Sequence, residues 1–267
     1  MSKAIVVGVV GLGISAAMLG LGFIAGKSGT APTDAAPVVT ERNVQDMDRA
    51  GLEAVIYDYL VSNPEVMLDV QAALENRERE NRTAAARNVI AQQSSEIFNA
   101  THDGIVGNPE GDVTIVEFFD YNCGFCKRAM DDMDAVIAAD PDVRFVLKEF
   151  PILGPDSQAA HVVSKAFNLI APENYGDFHR ALMNLDGRAN EASAIRIAVE
   201  HGVDEADLRT AMQDPAVMEA FERNYALANR LSVTGTPSYV IGDQVIFGAQ
   251  GASVLFDHVE KVRAEAN

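Results

Sequence analysis

The sequence predicts an α/β domain with an inserted helical segment, preceded by a helical stalk and an N-terminal membrane helix. Three observations carry that prediction. A charge-free run fills residues 4–26 between Lys3 and Lys27. Apolar residues then recur at helical spacing from Val44 to Leu74. From Gly104 onward, β-rich runs of strand length alternate with helical patterns, which reads as a strand–helix–strand unit.

The run at residues 4–26 suits a spanning helix, which needs about 20 apolar residues. A cleaved secretory signal has a shorter apolar core of about 7–15 residues, so an uncleaved anchor is the preferred reading of residues 1–27. Either reading exports the rest of the chain. Residues 28–42 are small, Pro-containing and aperiodic, and are read as a flexible linker.

Residues 43–100 form the stalk. Val44, Met47, Leu52, Val55, Ile56, Tyr59 and Leu60 give one apolar face. Asn63-Pro64 restarts the helix, Asn63 as the cap and Pro64 at the first helical position. Glu75 to Thr83 is polar all round, as in a solvent-bridging helix. The short apolar face cannot bury itself alone. Packing on the chain's own domain and self-association through Val44–Leu74 both remain open.

Residues 101–267 form the α/β domain. Gly104–Gly107 is expected as an edge strand, Val113–Phe119 and Val143–Phe150 as strands flanking a helix from Cys123 to about Ala139. The insertion, about 154–215, reads as helices alone. Another helix, about Ala216–Leu231, precedes a hairpin of Ser238–Ile241 and Gln244–Phe247, and Ala252–Ala264 closes the chain.

Composition excludes several functions. The net charge of −18 is wrong for nucleic acid, which rewards clustered Lys and Arg. The only two cysteines, Cys123 and Cys126, are too few for a disulfide scaffold or a Cys-type zinc site. The five histidines are scattered and pair with no cysteine at ligand spacing; no metal or cofactor is expected. Met130 and Met133 are read as packing residues.

Redox chemistry remains for the CGFC pair. Cys123 lies just after a strand and opens a helix, where unpaired N–H groups and the helix dipole favour a thiolate. It is the candidate nucleophile, and Cys126, one turn on, the resolving thiol. Glu117 shares a strand side with Phe119, toward the interior, where a carboxyl has a raised pKa and can exchange a proton with Cys126. An exposed strand-end glutamate is the plainer alternative. Lys148 on the neighbouring strand is a possible partner for Glu117. Thr236-Pro237 opens the hairpin and is either an ordinary turn or a cis-proline that presents the Thr236 backbone to a substrate chain.

VEFFDYNCGFCKRAM, KEFPILGPDS and GTPSYVIG together resemble the bacterial DsbA-like family of thioredoxin-fold proteins, from about Gly104 to the end. IYDYLVSNPEVMLDVQAAL resembles the N-terminal segment of its ScsC type. The resemblance implies a thioredoxin-like fold with an inserted helical domain, and functional positions at Cys123, Cys126, buried Glu117 and cis-Pro237. It also implies trimerisation through the stalk and disulfide isomerase activity. The strongest oxidants of the family have Pro-His between the cysteines; here Gly124-Phe125 stands there, and the thiolate is expected to be less stabilised. The expected function is a periplasm-facing, membrane-tethered thiol–disulfide oxidoreductase acting on exported proteins, more isomerase than oxidase. It would need a membrane redox partner and would work as a homo-oligomer. A thiol-based copper binder or a holdase is the alternative.

Overall fold

A computed structural model describes residues 48–266. The expected membrane helix, the linker and the first stalk residues through Met47 lie outside them. Among the described residues no helix is long and apolar enough to cross a membrane. The chain divides after Ser62 into two compact units.

The described part of the first unit is helix α1, Arg49–Ser62. It buries none of its residues: Leu52, Val55, Ile56 and Tyr59, at helical spacing, are all exposed. On α1 the part of the sequence's apolar face formed by Leu52, Val55 and Ile56 is exposed.

The second unit begins where the helix restarts. Pro64 has helical angles (φ −64°, ψ −21°) and leads into α2, Glu65–Gln92. Met67, Val70 and Leu74 in its first half are exposed, and only Ile90, near its end, is buried. Short α3, Ser94–Phe98, buries Ile97.

Next come β1 (Gly104–Gly107), β2 (Val113–Phe119), α4 (Gly124–Ala139) and β3 (Val143–Glu149). Four helices then follow without a strand: α5 (Pro155–Ile170), α6 (Tyr175–Met183), α7 (Glu191–Glu200) and α8 (Glu205–Ala211). Helix α9 (Pro215–Arg230), hairpin strands β4 (Ser238–Ile241) and β5 (Gln244–Phe247), and α10 (Ala252–Ala266) complete the unit. The sheet runs β1-β3-β2-β4-β5. β2 and β3 are parallel across α4, β4 is antiparallel to β2, and β1 and β5 are the edges.

Strand alternation splits the core in two. Ile115, Phe119, Phe145 and Leu147 face α4, α10 and the inserted helices. Val116, Phe118 and Val146 face the other way, where Ile90, Ile97 and Leu227 cover them. The end of α2 and all of α3 are thus part of the second core. Met130 and Met133 pack in the first, as expected.

Candidate active site

Cys123 occupies the N-cap position of α4, with an extended backbone (φ −80°, ψ 114°), and its N–H bonds Asp120 O at 2.9 Å. Cys126 lies in the first turn, almost wholly buried, and neither cysteine is in a disulfide. The Cys123 thiol is pulled down to about 5. The largest cause is a hydrogen bond from the Cys126 thiol; burial opposes it, and the Thr236 side chain and the N–H groups of Cys126 and Phe125 add to it. Cys126 moves the other way. Burial raises it most, and the bond to Cys123 and the nearby Glu117 carboxylate raise it further.

The thiol is thus lowered, as its place at the start of the helix predicts. With no imidazole at Gly124-Phe125, the support that exists comes from the second thiol, the Thr236 side chain and the helix-end amides. The Thr236–Pro237 peptide bond is cis. As a thiol, Cys123 Sγ donates to Thr236 O at 3.2 Å.

Glu117 is buried on the same sheet face as the thiols. Its carboxyl is raised to about 8, chiefly by burial and then by the charges of Cys123 and Asp132. Tyr239 stands opposite it on β4, and Asp132 Oδ1 accepts the Ala252 N–H at 2.9 Å. The structure thus brings Glu117, Cys123, Cys126 and Thr236 together.

Lys148 does not partner Glu117. Glu117 pairs in register with Leu147, and Lys148 with Phe118. That one-residue offset turns Lys148 to the opposite face, where its Nζ lies 2.5 Å from both Asp103 Oδ2 and Glu96 O. Lys165 also reaches Asp103 Oδ1, at 3.4 Å.

Two residues ahead of the motif were not singled out from the sequence. Buried Asp120 accepts N–H bonds from Asn122 (2.8 Å), Ile152 (2.9 Å) and Leu153 (3.0 Å), tying the segment after β3 to the start of α4. Asn122 exchanges bonds with the Ala189 backbone at 2.7 and 2.9 Å and donates to Ser157 Oγ, fixing the inserted helices beside Cys123. Behind them, Glu149 accepts from Ser164 Oγ (2.7 Å) and Tyr175 OH (3.3 Å) and bonds His161 Nδ1 at 2.7 Å. His161 Nε2 accepts the Tyr121 N–H, so its proton sits on Nδ1, toward Glu149. Two Asx residues directly before a helix start were the available signal for the first pair.

A family model for the DSBA-like thioredoxin domain matches residues 114–260, and one for the copper resistance protein ScsC N-terminal domain matches residues 48–81. A thioredoxin-like oxidoreductase from Silicibacter pomeroyi is 42% identical with a TM-score of 0.61, covering 64% of this chain and 97% of that one. The thiol-disulfide exchange protein alpha-DsbA2 from Wolbachia pipientis is 30% identical with a TM-score of 0.63, over 68% and 98% of the two chains. BcfH from Salmonella enterica Typhimurium is 27% identical with a TM-score of 0.68, over 79% and 94%. The chain spans about a quarter of the length of two curated relatives, the Na(+)/H(+) antiporters NhaA of Herminiimonas arsenicoxydans (26%) and NhaA 3 of Salinispora tropica (25%). With its thiol pair at the head of α4 and more than half its length matched, the chain belongs to the DSBA-like thioredoxin domain family and carries a ScsC-type N-terminal segment.

Proposed function

We propose that the protein exchanges and reshuffles disulfides in exported proteins, with Cys123 as nucleophile. The observation that carries this reading is the split between the two thiols: one held as thiolate near neutral pH, the other buried as thiol beside a protonatable carboxyl.

Cys123 Sγ attacks one sulfur of a client disulfide, forming a mixed disulfide and releasing the other client sulfur as thiolate. Two exits follow. A second client thiolate displaces Cys123, which rearranges the client with no net redox change. Alternatively, Cys126 loses its proton to the Glu117 carboxylate and attacks Cys123 Sγ. The client leaves reduced, and Cys123–Cys126 is left oxidised. The mixed disulfide also sets the order of events. Once Cys123 is uncharged, one cause that holds Glu117 protonated is gone, and so are two that hold Cys126 as thiol. The proton acceptor and the resolving thiol are both released by the step that needs them.

Isomerisation is favoured over strong oxidation on two grounds. Gly124-Phe125 places no imidazole between the thiols. The ScsC-type segment, with Leu52, Val55 and Ile56 exposed on α1, supports self-association that sets several thiol pairs beside one another. The same reading places the chain in the periplasm, held by residues 1–27 and recycled by a membrane redox partner. The Thr236 backbone beside Cys123 is the proposed contact for the client chain.

Refolding of scrambled ribonuclease tests this. The form starting at Ser28 should isomerise, and Cys123→Ala should abolish turnover. Turnover retained in Cys123→Ala sinks the enzymatic reading. A form starting at Asn63, which keeps the core residues Ile90 and Ile97, should lose isomerisation but still reduce insulin. Equal isomerisation by both forms overturns the oligomeric part. Initial rates should rise with pH through about 5, as Cys123 becomes thiolate.

A further inference from the structure

Away from the thiols, α2 and the edge strand β5 enclose a cavity of about 480 Å³. Arg79 and Arg82 of α2 form one wall, and Val245 and Phe247 of β5 form the other, with Leu231 alongside. The cavity's one carboxylate, Asp243, is already held by Arg87 at 2.9 Å, a bond that also ties the hairpin to α2. Among the described residues, no carboxylate pairs with Arg79 or Arg82, and their helix neighbours Glu78 and Glu80 do not line the cavity. Two guanidinium groups thus face an apolar wall with no carboxylate within ion-pair distance among the described residues, on a chain of net charge −18.

Phe247 belongs to two depressions at once. It lines this cavity, and it also lines the groove formed by Phe125, Thr236 and Pro237, where Thr236 O is 3.2 Å from Cys123 Sγ. The surface therefore runs from the reactive sulfur, over Phe247, to the two arginines. β5 is the outer strand of the sheet. An edge strand suits an extended chain, which can add backbone bonds along it.

We propose that this cavity is a second client subsite, which takes an acidic side chain of an extended polypeptide whose cysteine is joined to Cys123. The assignment rests on the disulfide-exchange reading above and deepens it into a sequence preference. Guanidinium groups match carboxylates in charge and bidentate geometry. The apolar wall suits the stem of an acidic residue or its neighbour. The continuity through Phe247 with the groove beside Thr236 and Pro237 favours a client chain over a phosphate surface.

The test uses the full exported chain and a set of fluorogenic peptides. Each carries one cysteine disulfide-bonded to a quencher thiol, and a single Glu or Lys at successive positions on either side. At one or two neighbouring positions Glu should react about fivefold faster than Lys at low salt, the size expected of two partly exposed charge pairs. The ratio should shrink as salt is raised. In the double variant Arg79→Glu, Arg82→Glu the ratio should invert at those same positions, a result that also shows the variant is folded and active. A ratio near one at every position, or a ratio the double variant leaves unchanged, overturns the subsite. Failure of the unmodified chain to react with dipyridyl disulfide, which carries no carboxylate, would instead overturn the disulfide-exchange reading beneath it.

Discussion

Glu117 and Lys148 sit one residue out of register on adjacent strands, both buried, and they meet opposite fates. Lys148 finds two acceptors on its face: Asp103 on the segment leading into β1 and the Glu96 carbonyl at α3. Glu117 faces the thiols, where the nearby groups that act on it, Cys123 and Asp132, are negative when charged. The paired charge binds α3 and the β1 edge to β3. The unpaired carboxyl stays neutral until a proton must move. Burial is common to both, so burial alone marks neither as functional. The sign of the neighbours separates them.

The largest expected effect comes from breaking the paired side. Lys148→Met leaves Asp103 buried with a diminished counter-charge, and loss of one partner of a buried pair costs about 3–5 kcal/mol. The lower end is expected, because Lys165 remains 3.4 Å from Asp103. Adding Asp103→Asn should recover part of the loss, since it removes the stranded charge. Urea denaturation of the reduced protein at pH 7 measures both. A Lys148→Met loss below about 1 kcal/mol would mean the pair is no latch.

On the unpaired side the sign reverses. Glu117 titrates at about 8 in the fold against 4.5 for the free group. A raised carboxyl contributes stability that is fully present below about 4.5 and is lost as pH rises through about 8. Glu117→Gln removes that penalty, so it should stabilise the reduced protein by about 1–3 kcal/mol at pH 7 and by nothing measurable at pH 4. It should also slow resolution of a mixed disulfide by Cys126 at least about 100-fold, the low end of the usual worth of a positioned proton acceptor. Stopped-flow release of a fluorescent thiol from the mixed disulfide reads the rate. Stabilisation without slowing would make Glu117 a passive buried group.

This pair of residues also shows what the sequence could and could not tell. Alternation along VTIVEFF is a local property, and it placed Glu117 inside correctly. The parallel register between β2 and β3 joins Glu117 to Leu147 across the whole of α4, which no window of either strand contains. The Glu117–Lys148 pairing failed on that one-residue offset. Strand and hairpin limits were readable because Gly, Pro and Asp mark their ends: β1, β2, β4 and β5 fall on the expected residues. Glu149 was within reach of the same alternation, two residues beyond Leu147 on the thiol-side face, as Glu117 is two before Phe119. Asp120 and Asn122 were harder. Their partners Ile152, Leu153 and Ala189 come from segments brought beside the motif only by the inserted helices.

The smallest effect isolates the charge that Glu117 feels from outside the thiol pair. Asp132 raises Glu117 less than burial and Cys123 do, and it also accepts the Ala252 N–H that opens α10. Asp132→Asn keeps an acceptor oxygen at that position and removes only the charge. Glu117 should then titrate lower, by less than about one unit, because one partly screened charge is worth about 1 kcal/mol or less at such a site. The midpoint of the Glu117 carboxyl itself, followed by carbon-13 NMR in protein whose Cys123 is already blocked, should show that fall. Blocking Cys123 removes that sulfur's charge, so what remains to raise Glu117 is burial and Asp132. A midpoint that does not move would assign the whole rise of Glu117 to burial and to Cys123. The contrast with Lys148 would then rest on the absence of a cation on the thiol face, with no part for the added anion.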